Sequence, residues 1–162
     1  MKILFIENQP CVSSLLKLHL ENVAGNTVIS AGSVEQAAAI LDKDRRWDVL
    51  VSGLYFSETM PHYRRRALTG ADLIDMVLES KLDIPNVILL TSVEQDEPVI
   101  TELQKKHGHQ FKYMSSADLR GFFDYVKGLS KNCQSAEVIP LPFSSGLRVD
   151  VGGPHTDEAA TL

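Results

Sequence analysis

The sequence has few cysteines, no long apolar run and no sign of an export signal. Its 162 residues include two cysteines, Cys11 and Cys133, which lie far apart and match neither a metal-binding nor a CxxC spacing. We interpret them as free thiols, as is typical of a reducing compartment. No apolar run approaches the roughly 20 residues that a membrane-spanning helix needs, and the N-terminus lacks the apolar core of a signal peptide. We therefore expect a cytoplasmic protein with no membrane partner.

An excess of basic residues is also missing. The chain has 16 lysines and arginines against 21 aspartates and glutamates, and its formal net charge is −5. A protein with this balance has no overall positive field to attract nucleic acid. The one basic run, Arg64-Arg65-Arg66, is either a solvated loop or a local phosphate-binding patch.

The common catalytic and cofactor motifs are absent as well. The segment Glu7-Asn8-Gln9-Pro10 follows the first predicted strand and contains no glycine-rich phosphate loop, nor the hydroxyl- and glycine-rich loop that FMN would need. No GxSxG or HExxH pattern occurs. The five histidines do not cluster, and we interpret the closest pair, His107 and His109, as structural. The sequence therefore predicts no enzyme activity, no metal site and no cofactor.

The sequence instead alternates short apolar runs with helical periodicity. Residues 3–6 are apolar on both faces, as in a central parallel strand, and Val12, Leu15, Leu16 and Val23 recur on one helical face. Further strands are predicted near 27–30, 49–51, 87–90 and 109–114, each followed by a helix.

Five successive βα units indicate a parallel sheet with helices on both faces. The predicted fold is α/β, a flavodoxin-like three-layer sandwich with strand order 2-1-3-4-5 and five helices. Its functional crevice should lie at the carboxyl ends of the first and third strands.

The folded domain is predicted to span residues 1–131. We expect Ser115 to cap the last helix, with Asp118 at its third position. Residues 132–162 differ in composition and are predicted to form a mostly irregular tail. The apolar run Val138–Phe143 and the alternating Leu147, Val149 and Val151 make this tail either mobile or a docking segment.

Residues 2 to about 130 resemble the receiver domain of bacterial response regulators. In that family the first strand ends in an acidic pair, the third in a phosphate-accepting aspartate, the fourth in Thr or Ser, and the fifth in Lys-Pro. The resemblance implies that the three carboxylates hold Mg²⁺, while the hydroxyl and the ammonium group bind the phosphoryl oxygens.

This chain keeps only part of that pattern. Glu7 preserves one acid, Asn8 replaces the second acid, and Gly53 stands where the acceptor aspartate is expected. Thr91, followed by Ser92, matches the hydroxyl position. With one carboxylate and one amide, we expect no magnesium site.

The position of the family's lysine is less clear from the residues. Our preferred alignment assigns it to Lys112, with Tyr113 in place of the proline and His109 at the aromatic switch position. An alternative register places Ser115 there and loses the lysine. In the preferred alignment, a contact between Glu7 and Lys112, direct or through water, is expected to fill the crevice.

A long insertion follows Gly53. It is rich in aromatic and basic residues, and Gly70 takes the place of the glycine with which the family begins its third helix. Such a loop is either mobile or a partner surface. The candidate contact residues are Tyr55, Phe56, Tyr63, Arg64, Arg65 and Arg66.

These observations predict a phosphorylation-independent, receiver-like signalling adaptor that acts through protein–protein contacts in a two-component-type pathway. By resemblance, the fourth helix, fifth strand and fifth helix form the partner or homodimer face, with candidate residues Glu102, Lys105, Lys106, Arg120, Asp124 and Lys127. One alternative is a phosphorelay receiver that uses Ser52, Ser57 or Glu7 as a surrogate acceptor. Another is a small-ligand or anion sensor that uses the vacated crevice, Lys112 and the arginines.

Overall fold

The protein forms one five-stranded parallel sheet with the strand order β2-β1-β3-β4-β5. The computed structural model describes residues 1–23, 25–56, 68–80 and 82–135, with the backbone alone for 132–135. The strands are β1 (Lys2–Ile6), β2 (Thr27–Ala31), β3 (Val49–Ser52), β4 (Asn86–Thr91) and β5 (Lys112–Ser115). The helices are α1 (Pro10–Asn22), α2 (Val34–Lys43), α3 (Gly70–Glu79), α4 (Pro98–His107) and α5 (Leu119–Ser135). The predicted fold class is confirmed.

Helices cover both faces of the sheet, because the central strands are apolar on both sides. In β1, Leu4 and Ile6 pack with α2, α3 and α4, whereas Ile3 and Phe5 pack with α1 and α5. All four side chains are almost fully buried. A strand buried on both faces carries a continuous apolar run, and such a run in the sequence predicted β1.

Helix α1 buries only part of the predicted face: Leu16 is buried as predicted, whereas Val12 and Leu15 are exposed. Leu16 and Leu20, one helical turn apart, face the sheet. Leu15 is 58% exposed and Leu18 is 57% exposed. Neighbouring residues on a helix point about 100° apart, so Leu15 lies to one side of the face on which Leu16 is buried. This helix therefore presents apolar side chains to solvent.

The structure also corrects the start of the fifth strand. Residues 108–110, assigned to that strand in the preferred alignment, form a short 3₁₀ turn. Gly108 has a φ of +58°, a left-handed conformation that favours glycine at the end of a helix. The strand begins only at Lys112, so each later residue lies nearer to the start of β5 than predicted.

Helix α5 begins later and ends later than predicted. Ser115 is the last residue of β5, and the cap is Asp118, whose Oδ1 accepts a hydrogen bond from the Gly121 amide at 2.9 Å. The helix runs on to Ser135, past the predicted domain boundary at 131. That boundary remains a prediction, and the proposed docking segment Val138–Phe143 lies outside the described residues.

Gly70 is the point at which α3 contacts the end of β3. A Cβ atom on Gly70 would lie 1.7 Å from the carbonyl oxygen of Gly53 and 2.7 Å from Oγ of Ser52. The Gly70 amide donates to the Leu54 carbonyl at 2.8 Å, and Thr69 and Asp72 form a capping box at the helix start. Only glycine permits this approach of backbone to backbone.

Charged groups join α3 to α4 on the same face of the sheet. Nε2 of the buried His107 lies 2.6 Å from Oδ1 of Asp75. The Lys106 ammonium contacts Asp75 at 2.8 Å and Glu79 at 2.6 Å. The hydrogen bond from His107, and next that from Lys106, hold the pKa of the Asp75 carboxyl below its ordinary value of 3.8.

We expect Gly70→Ala to destabilise the fold by about 1–3 kcal/mol, because the new methyl group overlaps the backbone of Gly53. Gly53→Ala is the matched control. A Cβ there meets its nearest neighbour, Phe56, at 3.7 Å, and the Gly53 φ lies outside the left-handed region. Its stability should stay within about 1 kcal/mol of wild type. Urea unfolding measures both, and equal losses in the two variants would contradict the role given to Gly70.

The Asp75 cluster makes stability depend on acid pH. Because the folded pKa lies below 3.8, the unfolded carboxyl binds protons more readily than the folded one. The stabilisation is thus present above the unfolded pKa and is lost as the pH falls through the folded pKa. Asp75→Asn should lower the free energy of unfolding at pH 7. In this variant the free energy of unfolding should also decrease less steeply as the pH is lowered. Urea unfolding at a series of pH values measures this. The prediction is wrong if the free energy of unfolding of Asp75→Asn depends on acid pH as steeply as that of the wild type. Asp83→Asn, at an exposed position, is the control.

Candidate functional site

A cavity of about 380 Å³ lies at the carboxyl ends of β1, β3 and β4, where the sequence predicts the crevice. Parallel strands end at the same edge of a sheet, so side chains that follow them meet there. Register pairs Ile6 with Ser52 and Ser52 with Leu89, which brings the three strand ends side by side. The lining residues are Phe5, Glu7, Gln9, Val12, Leu15, Leu16, Gly53, Leu54, Tyr55, Leu90, Thr91, Ser92, Ser116 and Leu119.

Glu7 is the charged residue of this lining. Its Oε1 accepts a hydrogen bond from the Gln9 amide at 2.9 Å. Its Oε2 lies 4.0 Å from the point that a Cβ on Gly53 would occupy, so the carboxylate is directed toward position 53, where the resemblance leads us to expect an acceptor. Among the described residues, no lysine, arginine or histidine forms an ion pair with Glu7. The described wall of the cavity is therefore net negative.

Gly53 lies in the loop after β3, beside Glu7. Its amide donates to the Ile6 carbonyl at 3.3 Å, which holds the loop against the end of β1. A side chain would find ordinary van der Waals contacts at this position. The backbone and its neighbours therefore do not require glycine at position 53. A residue with a side chain would fit there.

Thr91 is buried at the end of β4 and lines the cavity as expected. Its Oγ1 accepts from the Val93 amide at 3.2 Å, and its carbonyl accepts from the Ser116 amide at 2.9 Å. The hydroxyl of Tyr113 donates to the Val93 carbonyl at 2.7 Å. Tyr113, rather than His109, is consequently the aromatic residue that contacts the loop after β4; His109 is exposed in the 3₁₀ turn.

Lys112 is not at the cavity, and the preferred alignment is corrected here. It is the first residue of β5 and pairs with Ile88, whereas Ser115 pairs with Thr91 at the other end of the strand. The exposed Lys112 ammonium lies 4.6 Å from the centre of the Tyr125 ring. The expected contact between Glu7 and Lys112 does not form. The alternative register, with a serine near Thr91, describes the strand end better.

The residues at this site do not fit the magnesium ion that the receiver resemblance implies. Mg²⁺ prefers anionic oxygen ligands in near-octahedral geometry. Glu7 offers one carboxylate, Gly53 offers none, and Asn8 is not part of the cavity lining. The described part of the chain contains no group of three histidine, cysteine, aspartate or glutamate side chains placed to share a metal.

Several residues of the lining were missed at the sequence level. Ser116 takes a place in the wall of the cavity, and Val12 and Leu15 of α1 and Leu119 of α5 form an apolar side. A signal for Val12 and Leu15 existed, because the α1 sequence has more apolar residues than one buried face requires. Nothing local marked Ser116, whose place depends on the start of β5.

The predicted contact residues are only partly within the described chain. Tyr55 is exposed and its hydroxyl donates to Glu97 at 3.3 Å, while Phe56 packs against the core. Lys105, Arg120 and Asp124 are exposed on α4 and α5. The other candidates of the insertion, Tyr63, Arg64, Arg65 and Arg66, lie outside the described residues, as does the candidate surrogate acceptor Ser57. None of the described helices has the length and apolar character needed to cross a membrane.

No protein-family model matches the sequence, and no curated protein matches it at a significant level. Solved structures do match. The response regulator TrrA from Thermotoga maritima, in complex with Mg²⁺ and BeF, is 18% identical with a TM-score of 0.59, covering 79% of this chain and 97% of that one. The signal receiver domain of an HD domain-containing protein from Pseudomonas fluorescens Pf-5 is 18% identical with a TM-score of 0.62, covering 84% and 98%.

A third match is the signal receiver domain of a signal transduction histidine kinase from Syntrophus aciditrophicus. It is 24% identical with a TM-score of 0.61, covering 88% of this chain and 98% of that domain. Nearly all of each receiver domain is therefore spanned by this chain. The likeness in topology agrees with the observed sheet order and the helices on both faces. The chain has the fold of response-regulator receiver domains.

Proposed function

We propose that this protein is a receiver-like signalling adaptor that works through protein–protein contacts in a two-component-type pathway, without aspartyl phosphorylation and without catalysis. The observation that supports this most directly is the content of the crevice. Its described lining has Gly53 at the expected acceptor position, one carboxylate, and no lysine or arginine. A phosphoryl group needs an acceptor and positive charge to offset its own.

The alternative of a surrogate acceptor has little support from the described residues. Ser52 is fully buried, and its hydroxyl donates to the Gly53 carbonyl at 2.9 Å. A phosphodonor has no access to such a group. Glu7 is accessible from the cavity, but the described residues place no metal site and no cation beside it to stabilise an acyl phosphate.

The anion-sensor alternative is weakened by the position of Lys112. This residue lies at the opposite end of β5 from Thr91, so it cannot hold an anion in the cavity. Among the lining residues the charge is that of Glu7, which repels anions. The structure therefore favours the adaptor over an anion sensor.

Exposed side chains on α4 and α5 support the contact part of the proposal. Lys105, Arg120 and Asp124 are accessible, which a partner or a second copy of the chain would require. The apolar Leu15 and Leu18 on α1 offer a further surface. Exposed apolar groups of this size on a helix are a frequent feature of protein–protein interfaces.

The wild-type protein should give no phosphoryl adduct after incubation with acetyl phosphate and Mg²⁺, because the crevice lacks the acceptor and the metal ligands. The double variant Gly53→Asp, Asn8→Asp should gain Mg²⁺ binding, since the new carboxylate at 53 would stand beside Glu7. Intact mass spectrometry and a Mg²⁺ titration measure the two effects. The matched control, Gly53→Ala with Asn8→Ala, should gain neither. A stoichiometric adduct on the wild-type protein would overturn the proposal.

Partner binding should depend on the α4 and α5 surface. The double charge reversal Lys105→Glu, Arg120→Glu should weaken capture of a partner from the native host by roughly five- to tenfold, as expected for contact residues worth about 1 kcal/mol or more. The reversal Lys43→Glu, at the end of α2, is the control and should leave capture unchanged. If the double variant captured the same proteins at wild-type levels, this face would not be the contact surface. Truncation after Ser135 tests the tail separately.

A further inference from the structure

The cavity at the strand ends combines apolar walls with one carboxylate. Its volume of about 380 Å³ falls within the roughly 300–1,000 Å³ usual for small-molecule sites. Phe5, Leu16 and Leu90 form part of its apolar lining from the core, and Val12, Leu15 and Leu119 add to that lining from α1 and α5. Such a pocket is suited to a ligand with a short apolar chain.

The negative charge of Glu7 in the lining indicates which polar group such a ligand should carry. Glu7 has one described hydrogen bond, from the Gln9 amide at 2.9 Å, and forms no ion pair with a described cation. The lysine expected beside it lies elsewhere, at the start of β5. A carboxylate beside apolar walls attracts a cation more strongly than it would in open water, because the surrounding dielectric is lower.

Hydroxyl groups complete the polar part of the lining. Thr91, Ser92 and Ser116 lie at the strand ends with Glu7, and Gln9 and Tyr55 also line the cavity, so the described polar side chains of the cavity carry no positive charge. The Thr91 hydroxyl oxygen already accepts a hydrogen bond from the Val93 amide. The set can accept hydrogen bonds from an ammonium group, which donates three and accepts none.

We propose that this cavity binds a small organic cation, with its ammonium group at the Glu7 carboxylate and its apolar body against Val12, Leu15 and Leu119. Gly53 has no side chain beside Oε2 of Glu7: a Cβ there would lie 4.0 Å from Oε2 and 3.7 Å from Phe56, so the carboxylate is reached without a side chain in the way. The inference does not rest on the adaptor function: the site can bind a cation whether or not α4 and α5 bind a protein.

The experiment uses three probes with the same apolar chain: hexylammonium, hexanol and hexanoate. Each is titrated into the full-length protein and followed by two-dimensional NMR of backbone amides and methyl groups. We expect saturable shifts for hexylammonium at the Gly53 amide and at the Leu15 and Leu119 methyl groups. Hexanol should bind about five- to tenfold more weakly, the loss expected for one partly exposed charge contact, and hexanoate should not bind at this site.

Glu7→Gln keeps the shape of the side chain and removes its charge, so it should weaken hexylammonium to the level of hexanol. The control Glu35→Gln, on the exposed face of α2, should bind like wild type. Gly53→Leu, which fills the cavity, should abolish binding of both hexylammonium and hexanol. This variant tests the location of binding independently if Glu7→Gln unfolds. Equal affinities for hexylammonium and hexanol, tighter binding of hexanoate, or no saturable shift with any probe would each overturn the proposal.

Discussion

The burial of the sheet on both faces is the constraint on which the rest of this structure depends. Backbone groups of β1, β3 and β4 pair with neighbouring strands, and helices cover the side chains above and below. Polar side chains can then reach solvent only at the ends of the strands. Glu7, Gly53 and Thr91 are distant in sequence but adjacent in space for this reason. The site is a consequence of the layer arrangement.

At the strand ends, expected charged groups are missing at more than one position. The acceptor position is a glycine, the expected lysine is at the far end of β5, and Asn8 stays outside the cavity lining. The backbone around these positions is held in place by local contacts. Gly70 packs on the Gly53 carbonyl, and Tyr113 donates a hydrogen bond to the loop after Thr91. The described part of this crevice is therefore an acidic, partly apolar pocket.

The pocket is separate from the charged candidate contact residues on α4 and α5, whereas Leu15 and Tyr55 belong both to the pocket lining and to the candidate contact surfaces. Lys105 and Arg120 lie on α4 and α5, while the pocket is bounded by α1, by the loop after β3 and by the first turn of α5. Leu119 belongs to the pocket and Arg120 to the exposed surface, and the two are consecutive residues of α5. A ligand in the pocket would thus touch the helix that carries part of the contact surface.

The sequence by itself determined the strands, apart from the start of β5, and their order, because a strand buried on both faces carries a continuous apolar run. The runs at 3–6 and 87–90 are examples, whereas Glu7, Gly53 and Thr91 at the strand ends were indicated by the resemblance to receiver domains. Only the tertiary structure decided the register of β5 and the exposed face of α1. The positive φ at Gly108 inserts a turn that shifts Lys112 to the start of the strand, and the packing of Leu16 on the sheet leaves Leu15 outside. Both outcomes depend on contacts between segments far apart in the chain, which no local pattern specifies.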